Sequence, residues 1–164
     1  DVISTPSWSW HDHGSEGTGP MAWLDGLDLP VYRFLPVSFA ENYDKERYPS
    51  ILVEEGDKSG LKFPWKKAAE VLDSEGEKHA RFDYKSGNGQ HLSTTISAQA
   101  ERVGGGHATE KARETVSFIY HVYEGEGRTR ITEPGGKEEK VVEWKSRDTF
   151  SVHAWRVVQH TCTM

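Results

Sequence analysis

The second half of the chain is a series of short segments rich in β-branched and aromatic residues, separated by glycine-containing turns. The segments GRTRI, KVVEWK and DTFSVHAW each have the length of a single strand, and SGNG, EGEG and EPGG have the composition of tight turns. Short strands at even spacing are typical of an all-β sandwich or barrel. The sequence therefore predicts a mainly β fold of the jelly-roll class.

The first half of the chain has a different pattern and indicates two further parts. Residues 1–35 contain a tryptophan-rich start and then the alternating apolar run MAWLDGLDLPVYRFL, which favours a strand. Residues 36–80 are irregular except for FPWKKAAEVLDSEGEKH, a predicted helix with Pro64 near its start and Gly76 at its end. We expect a helical connector at 36–80 between two β regions, the second of which occupies 81–164.

The composition of the chain argues against several classes of function. A net charge of −6 leaves no excess of lysine and arginine to follow a phosphate backbone. Cys162 is the only cysteine, so no internal disulfide can form, and no apolar run has the length of a signal-peptide core or a membrane span. We therefore expect a cytoplasmic protein that binds neither nucleic acid nor membranes.

The segment TPSWSWHDHG holds the candidate site residues His11 and His13. A proline, a tryptophan two residues later and His11 three residues after that would let this imidazole point inward from a strand end, with tryptophans packed around it. Neutral imidazole is a common metal ligand, but a pair of surface histidines in a loop fits the same spacing. From the residues alone, both interpretations stay open.

The longer segment TPSWSWHDHGSEGTGPMAWLDGLDLP resembles a block in the first cupin of gentisate 1,2-dioxygenases, bicupin enzymes in which it reads W-x-W-H-D-H-G followed by W-L-D-G-L-D. The resemblance implies that His11 is a ligand of a single Fe(II) ion and that His13 and Asp25 face the aromatic substrate. It also implies that the other two histidine ligands form an H-x-H pair upstream of this chain. Residues 1–35 would then be the C-terminal part of the first cupin, and residues 81–164 a second cupin, incomplete at its C-terminal end.

The second cupin keeps the spacing of the family's first metal-binding motif but not its ligands. Gly106 opens the frame and Gly125 closes it, whereas the two histidine positions are occupied by Ala112 and Glu114, and the glutamate position by Phe118. Of these three residues, only Glu114 has a side chain that could bind a cation. The frame therefore predicts a metal-free second cupin.

The second histidine motif leads to the same prediction. Trp155 corresponds to Trp8 in its frame, and Val158 stands where the first cupin has His11. The two cupins thus form an internal repeat in which one copy is degenerate. His160 corresponds to His13, and we expect no functional role for it.

The family implied by the resemblance cleaves gentisate (2,5-dihydroxybenzoate) with O2 to give maleylpyruvate, which makes the chain part of an Fe(II) extradiol-type oxidoreductase. The implied partners are a small aromatic hydroxy acid and O2, with salicylate and 1-hydroxy-2-naphthoate as substrates of close relatives, and the protein would form a homo-oligomer. Because one imidazole cannot hold ferrous iron, we expect the isolated chain to be inactive. The alternative is a metal-free cupin module that serves packing and subunit association.

Overall fold

The computed structural model describes residues 1–15, 17–37, 39–46, 60–76, 78–136 and 138–164. Within these ranges the chain is mainly β, as the sequence predicted. The strands are β1 Val2–Ile3, β2 Lys62–Phe63, β3 His79–Asp83, β4 Gln99–Val103, β5 Ala112–Arg113, β6 Phe118–His121, β7 Glu126–Thr132, β8 Glu139–Lys145, β9 Thr149–Val152 and β10 Val157–Cys162. The helices are α1 Leu29–Phe34 and α2 Trp65–Ser74.

The chain divides into two compact units. The first unit comprises Asp1–Lys67 and Asp83–Gln99, and the second comprises Ala68–Phe82 and Ala100–Met164. These units are defined by which residues pack together in space. The boundaries predicted after residues 35 and 80 instead mark the limits of the two predicted cupins, and they stay a prediction. None of the helices in the described ranges is long and apolar enough to cross a membrane.

In the first unit, the start of the chain pairs with the segment that precedes α2. Strands β1 and β2 are antiparallel, with Val2 opposite Phe63. The carboxylate of Asp1 accepts a hydrogen bond from the backbone N–H of Trp65, at 2.9 Å, where α2 begins. A carboxylate at this point satisfies an N–H group that has no partner within the helix.

The predicted strand in MAWLDGLDLPVYRFL is wrong, because its second part forms helix α1 instead. Pro30 lies in the first turn of this helix, where its fixed φ is suitable and its missing N–H costs nothing. In a paired strand the same proline would remove one ladder hydrogen bond. The local proline signal therefore overrides the alternating pattern.

Helix α2 confirms the predicted helix, with Pro64 before its first residue and Gly76 just after its end at a φ of 122°. Ala68 and Leu72 are its buried residues. The guanidinium of Arg102 donates to the carbonyl oxygens of Leu72 and Gly76, so that carbonyls at the helix end have a charged partner.

The second unit contains a four-stranded antiparallel sheet in the order β5-β10-β7-β8. A separate antiparallel pair, β6 with β9, places Phe118 opposite Val152. Ile131, Val152 and Val158 are buried together, and partly buried Tyr120, Val142 and Phe150 pack against them. This cluster is the core of the unit.

Strand β10 lies inside the sheet, between β5 and β7, although the sequence did not predict it. Its buried positions alternate along the strand and are Val158, His160 and Cys162. Because His160 and Cys162 are not aliphatic, the sequence of β10 lacks the alternation of aliphatic and polar residues that would have predicted a strand.

Candidate functional site

The structure places the three predicted site residues together on the first unit. The Nε2 atom of His13 lies 3.9 Å from Oδ2 of Asp25, and the His11 and His13 rings are 5.4 Å apart and perpendicular. All three residues are exposed. The His13–Asp25 distance is too long for a hydrogen bond, so their interaction is electrostatic and requires a protonated imidazole.

Trp23, for which no role was predicted, stacks on the imidazole of His13. The ring centroids are 5.0 Å apart and the planes differ by 14°. Stacked aromatic pairs contribute about 0.5–1.5 kcal/mol beyond area burial. The only sequence signal for this contact is position, because Trp23 lies two residues before Asp25 and shares its loop.

The residue that leads into the histidine segment has an uncommon backbone conformation. Trp8 has a φ of 60°, and Trp155, its counterpart in the predicted repeat, has a φ of 68°. A bulky residue rarely adopts this left-handed region because its Cβ approaches the carbonyl oxygen. The shared conformation at two matched tryptophans supports the internal repeat independently of residue identity.

Two ring contacts hold the tryptophans of the histidine segment. Trp8 meets the edge of Phe39 with ring centroids 4.5 Å apart, and Trp10 meets the edge of Tyr43 at 5.3 Å. These contacts join the segment to residues some thirty positions later in the chain. The second of these tryptophans, Trp10, directly precedes His11.

The described residues do not supply a complete iron site. Among them, no group of three or more His, Cys, Asp or Glu side chains is arranged to hold a metal ion. A ring-cleaving iron centre of the non-haem type uses three protein donors and leaves other positions open. His11 would be one such donor, so the chain as described fits only part of that arrangement.

The second unit contains a buried polar cluster that sequence reasoning missed. Thr129 has no exposed surface, and its Oγ1 lies 2.7 Å from Nδ1 of His160. The indole N–H of Trp144 donates to the same hydroxyl at 2.9 Å. The ring of Tyr120 meets His160 edge-on with centroids 4.7 Å apart. His160, the predicted counterpart of His13, is thus a hydrogen-bonded core residue.

Burial controls the protonation of this cluster. Burial lowers the pKa of His160, while nearby Glu101 opposes this effect and His79 adds to it. The pKa of Tyr120 is raised to about 12, mainly by burial and also by the charges of Glu101 and Glu114, while Arg81 acts in the opposite direction. His160 is therefore held as the neutral imidazole and Tyr120 as the neutral phenol.

The comparisons with known proteins agree with this architecture. No family model matches the chain. Gentisate 1,2-dioxygenase 1 of Aquipseudomonas alcaligenes is 31% identical over 188 aligned positions, covering 98% of this chain and 52% of that protein. The 1-hydroxy-2-naphthoate 1,2-dioxygenase of Nocardioides sp. (strain KP7) is 26% identical, covering 94% of this chain and 45% of that protein.

A solved structure gives the class of fold. Salicylate 1,2-dioxygenase from Pseudaminobacter salicylatoxidans superimposes with a TM-score of 0.64 at 18% identity, over 84% of this chain and 47% of that one. Together with the repeated tryptophan turn and the antiparallel sheet, this match defines the protein as a cupin. More particularly, the chain is similar over nearly its whole length to ring-cleaving 1,2-dioxygenases, several of them gentisate 1,2-dioxygenases. It spans about half the length of the curated relatives it matches.

Proposed function

We propose that the chain is part of a ring-cleaving dioxygenase that converts gentisate and O2 to maleylpyruvate. The observation that carries this proposal is the convergence of His11, His13 and Asp25 on one exposed surface of the first unit. A relative named for gentisate cleavage aligns with 98% of the chain, which supports the same assignment. The proposed protein is cytoplasmic and homo-oligomeric.

His11 is the proposed protein ligand of a ferrous ion from this chain. The family resemblance assigns the other two histidine ligands to an H-x-H pair outside the chain, which accords with the partial donor set among the described residues. His11 is exposed, so its imidazole is accessible to a metal ion that is also bound by histidines outside this chain.

His13 and Asp25 are the proposed catalytic residues. An imidazole N–H can donate to a ring oxygen, and a carboxylate can accept from a phenolic hydroxyl. Their side chains are 3.9 Å apart at the closest atoms, so one substrate hydroxyl can lie within reach of both. Hydrogen bonds aimed at an oxygen whose charge grows during the reaction stabilise the transition state. The pair would therefore favour the ketone character that develops on the cleaved ring.

Gentisate is the proposed substrate because relatives from Aquipseudomonas alcaligenes, Streptomyces sp. and Haloferax sp. are all named for it, at 31%, 26% and 26% identity. Relatives named for 1-hydroxy-2-naphthoate and 5-aminosalicylate are 26% and 25% identical. All three substrate names describe an aromatic ring that carries a carboxylate beside a hydroxyl.

The second unit supports a different candidate function, that of a metal-free module for packing and subunit association. Ala112 and Val158 fall on positions that correspond to histidine ligands in the family motif, and Val158 is buried in the core of the unit. The two functions are compatible in one protein if the first cupin performs the chemistry.

The test is iron content and oxygen uptake on gentisate after anaerobic reconstitution with ferrous iron. The proteins compared are this chain and a chimera in which it replaces the matching half of the Aquipseudomonas alcaligenes enzyme. We expect iron and gentisate-dependent oxygen uptake in the chimera but not in the isolated chain. His11→Ala should abolish both, whereas His91→Ala, at another exposed histidine of the first unit, should change neither. A folded chimera that binds no iron would contradict the proposal.

A further inference from the structure

The loop that carries Asp25 also supplies an aromatic surface to His13. Trp23 lies parallel to the imidazole, at 5.0 Å between centroids and 14° between planes. A histidine side chain has two rotatable bonds, and in an exposed segment an imidazole without a packing partner samples several rotamers. The indole surface restricts that sampling to ring orientations that lie flat against it.

The orientation that the stack selects is the one that faces Asp25. With the imidazole flat on Trp23, its Nε2 edge is 3.9 Å from the Asp25 carboxylate. On the other side of the segment, the backbone N–H of His13 donates to Oδ1 of Asp12 at 2.7 Å. The backbone and the ring plane of His13 are thus fixed by two separate contacts.

We propose that Trp23 is a positioning residue, whose indole holds the His13 imidazole with its Nε2 edge toward Asp25. This role rests on the proposed function, because a fixed His13 matters to catalysis only if His13 meets the substrate. Trp23 itself is proposed to touch neither substrate nor metal. A stack of this type favours one ring orientation by about 2-fold to 10-fold.

The first experiment measures the stack in the chain itself, by NMR of the isotope-labelled histidine rings, with His13 assigned through His13→Gln. Ring current from the indole should place the His13 ring protons upfield of those of other exposed histidines. Trp23→Leu should move them downfield, and Trp23→Phe should restore part of the upfield position. Trp155→Leu is the matched control, because Trp155 is 50% exposed against 49% for Trp23 and lies in the second unit. Unchanged His13 protons in Trp23→Leu would overturn the proposal.

The second experiment uses the chimera and separates positioning from folding. Trp23→Leu should lower kcat on gentisate on the order of 10-fold while leaving iron content and KM for gentisate nearly unchanged, since displacement of a reacting group affects mainly the transition state. Trp23→Phe should recover most of the lost kcat. An unchanged kcat in Trp23→Leu would remove the catalytic part of the proposal. If the NMR result holds and wild-type chimera shows no turnover, the proposed function fails while the stack stands.

Discussion

Ala112 and Val158 lie directly opposite each other in the antiparallel pair formed by β5 and β10. Both positions are predicted to correspond to histidine ligands of the family motif, although neither alanine nor valine can bind a metal. Directly opposed residues on antiparallel strands have their Cβ atoms about 4.5–5.5 Å apart, on the same face of the sheet. Two imidazoles at these positions could share one metal ion.

The first prediction follows from that pairing. We expect the double variant Ala112→His with Val158→His to acquire cobalt(II) absorption bands that the wild-type chain lacks. The Val158→His change should cost about 1–3 kcal/mol of stability through burial of a polar ring, and cobalt should recover part of it as a higher Tm. In the control, Ala112→His with Val157→His, the two rings point to opposite faces of the sheet. Equal cobalt binding by both variants would refute the pairing.

The second prediction concerns the hydroxyl of Thr129, which joins His160 and Trp144. Thr129→Val keeps the shape of the side chain but removes the partner of both ring nitrogens, so the free energy of unfolding should fall by about 1–3 kcal/mol. Thr129→Ser keeps the hydroxyl, so its free energy of unfolding should stay close to that of the wild type. Urea unfolding gives both values, and a Thr129→Val protein as stable as Thr129→Ser would contradict the prediction.

The third prediction is the acid dependence of stability through His160. Burial lowers the pKa of this imidazole in the folded protein, whereas the unfolded chain takes up its proton near pH 6.5, roughly the ordinary value. Below that pH the unfolded state binds more protons, so the free energy of unfolding falls as pH decreases toward the folded pKa. His160→Gln should show a flatter dependence in this range. Parallel curves for wild type and variant would assign the acid effect to other groups.

The fourth prediction is the late ionisation of Tyr120, whose pKa is raised to about 12. Because the unfolded chain loses this proton near pH 10, roughly the ordinary value for tyrosine, stability should fall as pH rises from there through the folded pKa. Phenolate absorbance at about pH 11, compared between wild type and Tyr120→Phe, should show that Tyr120 is still protonated. Glu101→Gln should lower the pKa of Tyr120, while Glu143→Gln, at a position on β8 that is not among the groups that shift this phenol, should not.

Much of the candidate site was accessible from the sequence because its residues are close in the chain. His11 and His13 are two residues apart, and Asp25 follows in the same block of 26 residues. The resemblance of that one block to a family motif was therefore enough to group them. The ring orientation of His13 was not accessible, since it depends on how the loop with Trp23 folds back over the histidine segment. The His160 cluster was missed for a stronger reason, because its partner Thr129 lies 31 residues earlier.

The sequence by itself determined the mainly β class, the bounds of α2 between Pro64 and Gly76, and the resemblance to ring-cleaving dioxygenases, because turns, helix ends and residue blocks are local features. Only the tertiary structure decided that β10 is an inner strand and that His160 belongs to the core. Strand pairing and burial depend on which distant segments meet, and a strand whose buried side chains include His160 and Cys162 carries little hydrophobic period of its own. The positive φ that Trp8 and Trp155 share is likewise a property of the folded backbone, which the residue letters alone did not show.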